Sequence, residues 1–123
     1  MILETALRNV LGDAIDTNFN VSGPGTLLFE TVADAEVATM ASVQNPAFGS
    51  AAAGVITLLG VTLSDTSATG GTTVQFSGRD GAAAKQWELT VGTGGTEIII
   101  SSTVVAATDQ VDLTALTITV PAS

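Results

Sequence analysis

The chain has 123 residues, of which 46% are hydrophobic and 12% are charged, and its formal net charge at pH 7 is −9. This length fits one domain with a hydrophobic core, and a mean hydropathy of +0.50 argues against disorder. The chain has no His, Cys or Tyr, which excludes disulfides, thiolate metal sites and catalysis by His or Cys. Its three basic residues are too few to bind nucleic acid or an anionic membrane.

The N-terminus carries no sign of a secretory or membrane-spanning segment. It lacks the basic region of a signal peptide. The most apolar run, residues 51–63, is interrupted by Gly and Thr and is shorter than the roughly 20 residues that a bilayer requires. We therefore expect neither secretion by the usual route nor membrane insertion.

The first predicted element is an amphipathic helix over residues 2–16. Its apolar and polar residues recur at helical spacing on opposite sides: Leu3, Leu7, Val10, Leu11 and Ala14 against Glu4, Arg8, Asn9 and Asp13. A helix this short is marginal by itself, so its apolar side must be covered. The covering is either an open end of the chain's own β domain or a partner protein, contacted by Ile2, Leu3, Leu7, Val10 and Leu11. We accordingly divide the chain into an N-terminal arm, residues 1–17, and a β domain, residues 18–123.

From residue 18 onward the pattern predicts about seven short strands. They cover residues 26–32, 36–43, 55–63, 72–77, 85–91, 97–105 and 111–120. The fifth alternates cleanly, with Trp87, Leu89 and Val91 on the inward face, and Asp80-Gly81 before it is typical of a tight hairpin turn. Strands of this length and spacing predict an antiparallel β-sandwich or a small barrel.

Two predicted strands change the face on which their apolar residues lie. In the third, the apolar face changes between Leu58 and Leu59, and in the last it shifts between Leu113 and Leu116. A shift of one residue turns every later side chain to the other face. We therefore expect a bulge or bend at Leu58 to Gly60.

The strands contain more apolar residues than one sandwich conceals. Ile98, Ile99 and Ile100 are consecutive, so at least one of them points away from the core unless both faces of that strand are buried within a monomer. Large exposed apolar patches are rare on monomeric proteins. We expect these three residues to form the seam of a cyclic homo-oligomer.

No group of residues predicts an active site or a cofactor site. A Ser–Lys pair would depend on the single Lys85, in a predicted hairpin arm, and twelve acids allow carboxylate pairs in any arrangement. Calcium is the stronger candidate, because acids flank three turns: Asp34 with Glu36, Asp65, and Asp109 with Asp112. None of these has EF-hand spacing, and Asp is common in turns. We assign no catalytic, cofactor-binding or metal-ligating residue and expect no enzyme.

Four stretches distributed from one end of the chain to the other carry a resemblance in composition: Leu3–Arg8, Glu36–Gly49, Ser67–Gly71 and Ser101–Pro121. The sequence here resembles a family of small proteins encoded among the structural genes of tailed bacteriophages. Among virion parts, head decoration (cement) proteins are similar to this chain in being small, β-rich, often trimeric and without catalytic residues.

The resemblance implies a non-enzymatic decoration protein that binds the assembled head shell and stabilises it. The implied partners are the major capsid protein and further copies of the chain, as a homotrimer. The implied location is the capsid surface, after synthesis in the cytoplasm of the bacterial host. The alternatives are a tail or neck structural protein, or a β module that binds calcium or a glycan.

Overall fold

One helix and eleven short strands follow one another in the computed structural model, which describes residues 1–123. The helix is α1 (Thr5–Phe19). The strands are β1 (Thr26–Glu30), β2 (Glu36–Thr39), β3 (Val55–Thr57), β4 (Leu63–Asp65), β5 (Gly71–Thr72), β6 (Gln75–Arg79), β7 (Lys85–Gly92), β8 (Ile98–Ile99), β9 (Val104–Val105), β10 (Val111–Leu113) and β11 (Thr117–Thr119). The predicted class, mainly β with a short N-terminal helix, is confirmed; the strands form a curled, sandwich-like half-barrel.

Helix α1 begins and ends three residues later than predicted. Before it, Glu4 is extended, and the N–H of Leu3 donates to the carbonyl oxygen of Ala122 at 2.6 Å, which ties this segment to the C-terminus. At its end, the Asn20 side chain donates to the carbonyl oxygen and the carboxylate of Asp16, both at 2.8 Å. The buried side chain of Phe19 then fixes the last turn on the core.

The largest sheet has the strand order β2-β1-β6-β7-β8. Its first four strands are antiparallel, as predicted, but β8 runs parallel to β7. Hydrogen bonds between Thr90 and Glu97 close the connection between the two strands: the N–H and hydroxyl of Thr90 donate to the Glu97 carboxylate, and the Glu97 N–H donates back to the hydroxyl. After the loop at residues 93–96, Ile98 and Ile99 lie beside Val91 and Gly92 at the end of β7.

Four of the seven predicted strands are each divided in two, which gives eleven. Two of the divided strands face each other: β3 pairs with β11 and β4 pairs with β10. The two predicted strands, 55–63 and 111–120, are interrupted at the same level, over residues 58–62 and 114–116. These are the positions at which the apolar face changes in the sequence. The predicted bend is therefore confirmed, but it separates two strands where the sequence predicted one.

An aromatic cluster forms the centre of the core. Phe19, Phe48 and Phe76 are buried around Trp87, with ring centroids 6.0 to 6.4 Å from that of the indole. Gly78 lies directly under Trp87, since a Cβ at that position would come within 2.2 Å of the indole ring. The helix, the loop before β3 and the main sheet thus meet at one cluster.

The hairpin between β6 and β7 is present, but its loop is longer than a tight Asp-Gly turn. The carboxylate of Asp80 accepts the N–H groups two and four residues further on, and the positive φ angle occurs at Ala83. Gly81 is required for a different reason, because a Cβ there would lie 2.0 Å from the carbonyl oxygen of Ser22.

Candidate interaction surface

Helix α1 is attached to the β domain by its polar side. Three side chains, about one per helical turn, accept backbone N–H groups at 2.7 to 3.1 Å: Asn9 from Gly54, Asp13 from Ala51 and Asp16 from Phe48. Next to them, Nε of Arg8 donates to the carbonyl oxygen of Val120 at 2.9 Å. These N–H groups lie outside the strand ladders, and the helix supplies the acceptors that they need.

Gly12 brings the same side of the helix close to the β domain. A Cβ at Gly12 would lie 3.0 Å from the Cβ of Ala51 and 3.2 Å from a methyl group of Ile56. A glycine inside a helix costs about 1 kcal/mol relative to alanine. Here it allows the helix backbone to rest directly on β3.

The apolar side of the helix consequently points away from the β domain. Of the five residues predicted to contact a partner, Ile2, Leu7, Val10 and Leu11 are exposed and Leu3 is half-buried. Ile2 retains 78% and Val10 62% of full exposure. We call the four exposed residues the outer helix face. It does not cover an end of the chain's own sandwich, and its contact with a partner stays a prediction.

A groove of about 490 Å³ continues the outer helix face toward the main sheet. Leu11 and Ala14 form its helical wall, and Trp87 and Pro121 lie among the residues of the other side. The apolar surface that α1 leaves uncovered is thus continuous with a concave surface beside it.

The predicted oligomer seam lies on another part of the molecule. Ile98 and Ile100 are half-buried against the core, whereas Ile99 is 66% exposed. A groove of about 560 Å³, which we call the edge groove, runs between β8 and β11. Its lining is Leu89, Glu97, Ile98, Ile99 and residues 115–119. The structure places Ile98 and Ile99 in one groove wall, and their role as a seam stays a prediction.

Two of the three basic side chains belong to an ion cluster on the main sheet. Glu30 is only 1% exposed, and its carboxylate lies 2.6 Å from Nη2 of Arg79 and 3.7 Å from Nζ of Lys85. Lys85 is also 2.8 Å from Asp34 and 2.7 Å from Glu88. Since Arg8 is held by Val120, each basic side chain of the protein is engaged within the molecule.

The ion cluster shifts the pKa values of its members. Burial raises the pKa of Glu30, but the neighbouring Ser77 hydroxyl and the Arg79 guanidinium, together with the charge of Lys85, outweigh burial and hold it below its ordinary 4.5. Hydrogen bonds to Asp34 and Glu88 raise the pKa of Lys85 above its ordinary 10.5. Hydrogen bonds from Lys85 and Gln75 lower the pKa of Asp34. Each of these three shifts favours the charged form of its group at pH 7.

The acids considered as calcium ligands bind parts of the chain instead. The Asp65 carboxylate accepts the N–H groups of Thr39 and Ser67, and that of Asp109 accepts the N–H of Ala106. Asp112 accepts hydrogen bonds from Ser64 and Gln110, which lower its pKa. No group of three or more acidic side chains is arranged so that it could hold a metal ion. These carboxylates therefore fix loops.

The sequence did not reveal the orientation of α1 or the ion cluster. The helical spacing of Asn9 and Asp13 was visible in the sequence, but the N–H groups that bind Asn9, Asp13 and Asp16 lie 32 to 45 residues away. The same holds for Glu30 and Arg79, which are 49 residues apart. A run of polar residues at helical spacing on the same side as a glycine is the one local signal that could have indicated the docked side.

The only helix is neither long enough nor apolar enough to cross a membrane. No protein-family model, no curated protein and no solved structure matches this chain.

Proposed function

We propose that this protein is a non-enzymatic virion structural protein of a tailed bacteriophage, and specifically a decoration protein that binds the assembled head shell through its outer helix face. The observation that supports this proposal best is the orientation of α1. Its polar side is attached to the β domain by four side-chain hydrogen bonds, while its apolar side remains exposed.

Exposed apolar side chains on an anchored helix favour a binding role. Burying a Val, Leu or Ile side chain contributes about 1.5–3 kcal/mol. In the isolated protein the outer helix face does not gain this free energy of burial, although a rotated helix could have turned these residues inward. A partner surface with an apolar depression would recover it, and the adjacent groove enlarges the area available for contact.

The charge distribution supports a partner with basic groups at its rim. The protein has a net charge of −9, and all three basic side chains are held by internal acceptors. Opposite charge on a partner accelerates the encounter, whereas a like-charged partner is repelled. A protein that binds only the assembled shell stabilises that shell by mass action, which is the physical basis of the decoration role.

The test is binding to heads of the phage whose genome encodes this chain, prepared without the protein. We expect the purified protein to sediment with expanded heads and to raise their melting temperature. Val10→Asp should weaken binding at least tenfold, because it places a charge in the contact. Val32→Asp is the matched control, since Val32 is 83% exposed in the turn between β1 and β2, away from the helix.

Each outcome decides the proposal. Equal binding by the Val10→Asp variant and the wild type would exclude the outer helix face as the contact. Retention on purified tails or necks but not on heads would replace decoration with a tail or neck role. A melting temperature of the isolated protein that rises with calcium or a glycan, without binding to heads, would support the β module that binds small ligands.

A further inference from the structure

The edge groove lies between two strand edges that have no neighbour. β8 is the last strand of the main sheet, and β11 pairs on one side only, with β3. Unpaired strand edges are usually protected by Lys, Pro, bulges or a covering loop. Neither Lys nor Pro lines the edge groove. The apolar side chains of Leu89, Ile98, Leu116 and Ile118 are half-buried or buried along it.

The edge groove is almost free of charge on a strongly acidic protein. Glu97 is the one charged residue in its lining. The Glu97 carboxylate is turned back onto Thr90, whose N–H and hydroxyl it accepts at 3.2 and 3.3 Å. A basic partner would be attracted to the acidic surfaces instead, and it gains nothing electrostatically in this groove.

A second copy of the chain differs from a basic partner, because it is itself acidic and is repelled by the acidic surfaces. Two copies each carry a charge of −9, with Arg79 and Lys85 already in internal ion pairs and Arg8 bound to the carbonyl oxygen of Val120, so their acidic surfaces repel each other and few basic groups can offset this. Their contact is therefore favoured where the surface is neutral and apolar. Ile99 belongs to the lining of such a groove and is 66% exposed, so its apolar side chain is available to a second copy.

We propose that the edge groove is the contact between copies of this chain, with Ile99 of each copy inserted in the edge groove of a neighbour. The main-chain groups at the free edges of β8 and β11 add directional hydrogen bonds to this apolar contact. A reciprocal contact closes as a dimer, and a head-to-tail contact closes as a ring such as the expected trimer. This proposal concerns self-association, and it stands or fails separately from binding to the head shell.

The test is the molar mass of the full chain, measured by light scattering after size exclusion over a wide range of concentration. We expect a mass of two or three copies for the wild type and of one copy for Ile99→Asp. Thr117→Glu places a charge on the opposite wall and should have the same effect. Val32→Asp is the matched control at an exposed apolar residue outside the groove, and it should remain assembled.

Thermal melting followed by circular dichroism verifies that each variant is folded. If one of the two groove variants does not fold, the other one alone tests the proposal. A wild-type mass of one copy at every concentration would overturn the proposal. So would an assembled Ile99→Asp variant. Dissociation by Val10→Asp but not by Ile99→Asp would overturn it too, because the copies would then meet through the outer helix face.

Discussion

The carboxylate of Asp16 accepts two hydrogen bonds, one from the N–H of Phe48 at 3.1 Å and one from the side chain of Asn20 at 2.8 Å. Asp16→Ala would leave the Phe48 N–H without its acceptor, and an unsatisfied donor of this kind costs about 1–3 kcal/mol. We expect that loss in the free energy of unfolding by denaturant. Val10→Ala, at an exposed position on the same helix, should change it by less than about 0.5 kcal/mol.

The comparison of these two variants tests the orientation of α1 directly. In a conventional amphipathic helix the apolar residue is the more costly one to truncate. A larger loss for Val10→Ala than for Asp16→Ala would therefore contradict the arrangement described above.

Glu30 is the most deeply buried acidic residue of the protein, at 1% exposure. Its pKa is lower in the folded protein than its ordinary 4.5, so its contribution to stability is fully present above that value and disappears as the pH falls through the folded-state pKa. Replacing one partner of a buried ion pair costs about 3–5 kcal/mol. Glu30→Gln retains an acceptor for Arg79, so we expect a loss of about 3 kcal/mol at pH 7.

The measurement is denaturant unfolding of both proteins at several pH values between 7 and 3. The difference in stability between wild type and Glu30→Gln should shrink as the pH falls below 4.5. The control is Glu88→Gln, because Glu88 is exposed and also pairs with Lys85; an exposed pair contributes only about 0–1 kcal/mol. A difference that does not vary with pH would assign the effect of Glu30→Gln to packing.

At the scale of elements, α1 depends on the close approach at Gly12. Gly12→Val adds a branched side chain where a Cβ would already lie 3.0 Å from Ala51, and overpacking of this kind costs about 1–3 kcal/mol. We expect the helix to separate from the β domain. Hydrogen exchange at the N–H groups of Phe48, Ala51 and Gly54 would then accelerate, since their acceptors are on α1.

Ala6→Val is the control for the helix propensity of valine. Ala6 is exposed on the same helix, so this variant changes propensity without crowding the β domain and should leave the three amides protected. Faster exchange at those amides in both variants would mean that propensity, and not the close approach, holds the helix in place.

The elements also show which parts of the fold the sequence could predict. The alternation in β7 and the change of apolar face at Leu58 are local patterns, and both correspond to the structure. The parallel course of β8 is accompanied by side-chain hydrogen bonds between Thr90 and Glu97, and hydrophobic periodicity encodes neither the direction nor these contacts. The docked side of α1 depends on the needs of distant N–H groups, so the apolar pattern alone left open whether that side of the helix faces the β domain or a partner.

At the scale of the whole molecule, the exposed apolar surface is not the result of an open fold. The accessible surface is 6286 Å², and a folded monomer of this mass exposes about 6,100 Å². What is unusual is the composition of that surface and not its area. Twelve large hydrophobic residues are exposed, and four of them form the outer helix face. An ordinary area with clustered apolar residues is typical of a surface that is covered in an assembly.

The net charge sets the response of the whole molecule to salt. Because Arg79 and Lys85 are already paired internally and Arg8 is the one further basic residue, the unpaired charges on the surface are mostly acidic and repel one another, which destabilises the compact state. Salt shortens the screening length from about 10 Å at 0.1 M to about 3 Å at 1 M. We therefore expect the melting temperature at pH 7 to rise with NaCl over this range, by about 4 °C for each kcal/mol of repulsion removed.

A variant with one more basic residue checks the origin of this effect. Ser50 is exposed, and Ser50→Lys changes the net charge from −9 by one. We expect it to melt at a higher temperature than the wild type in low salt and to gain less from added NaCl, because part of the repulsion is already removed. A melting temperature that falls with NaCl in the wild type would show instead that screening of the ion cluster around Glu30 outweighs the relief of surface repulsion.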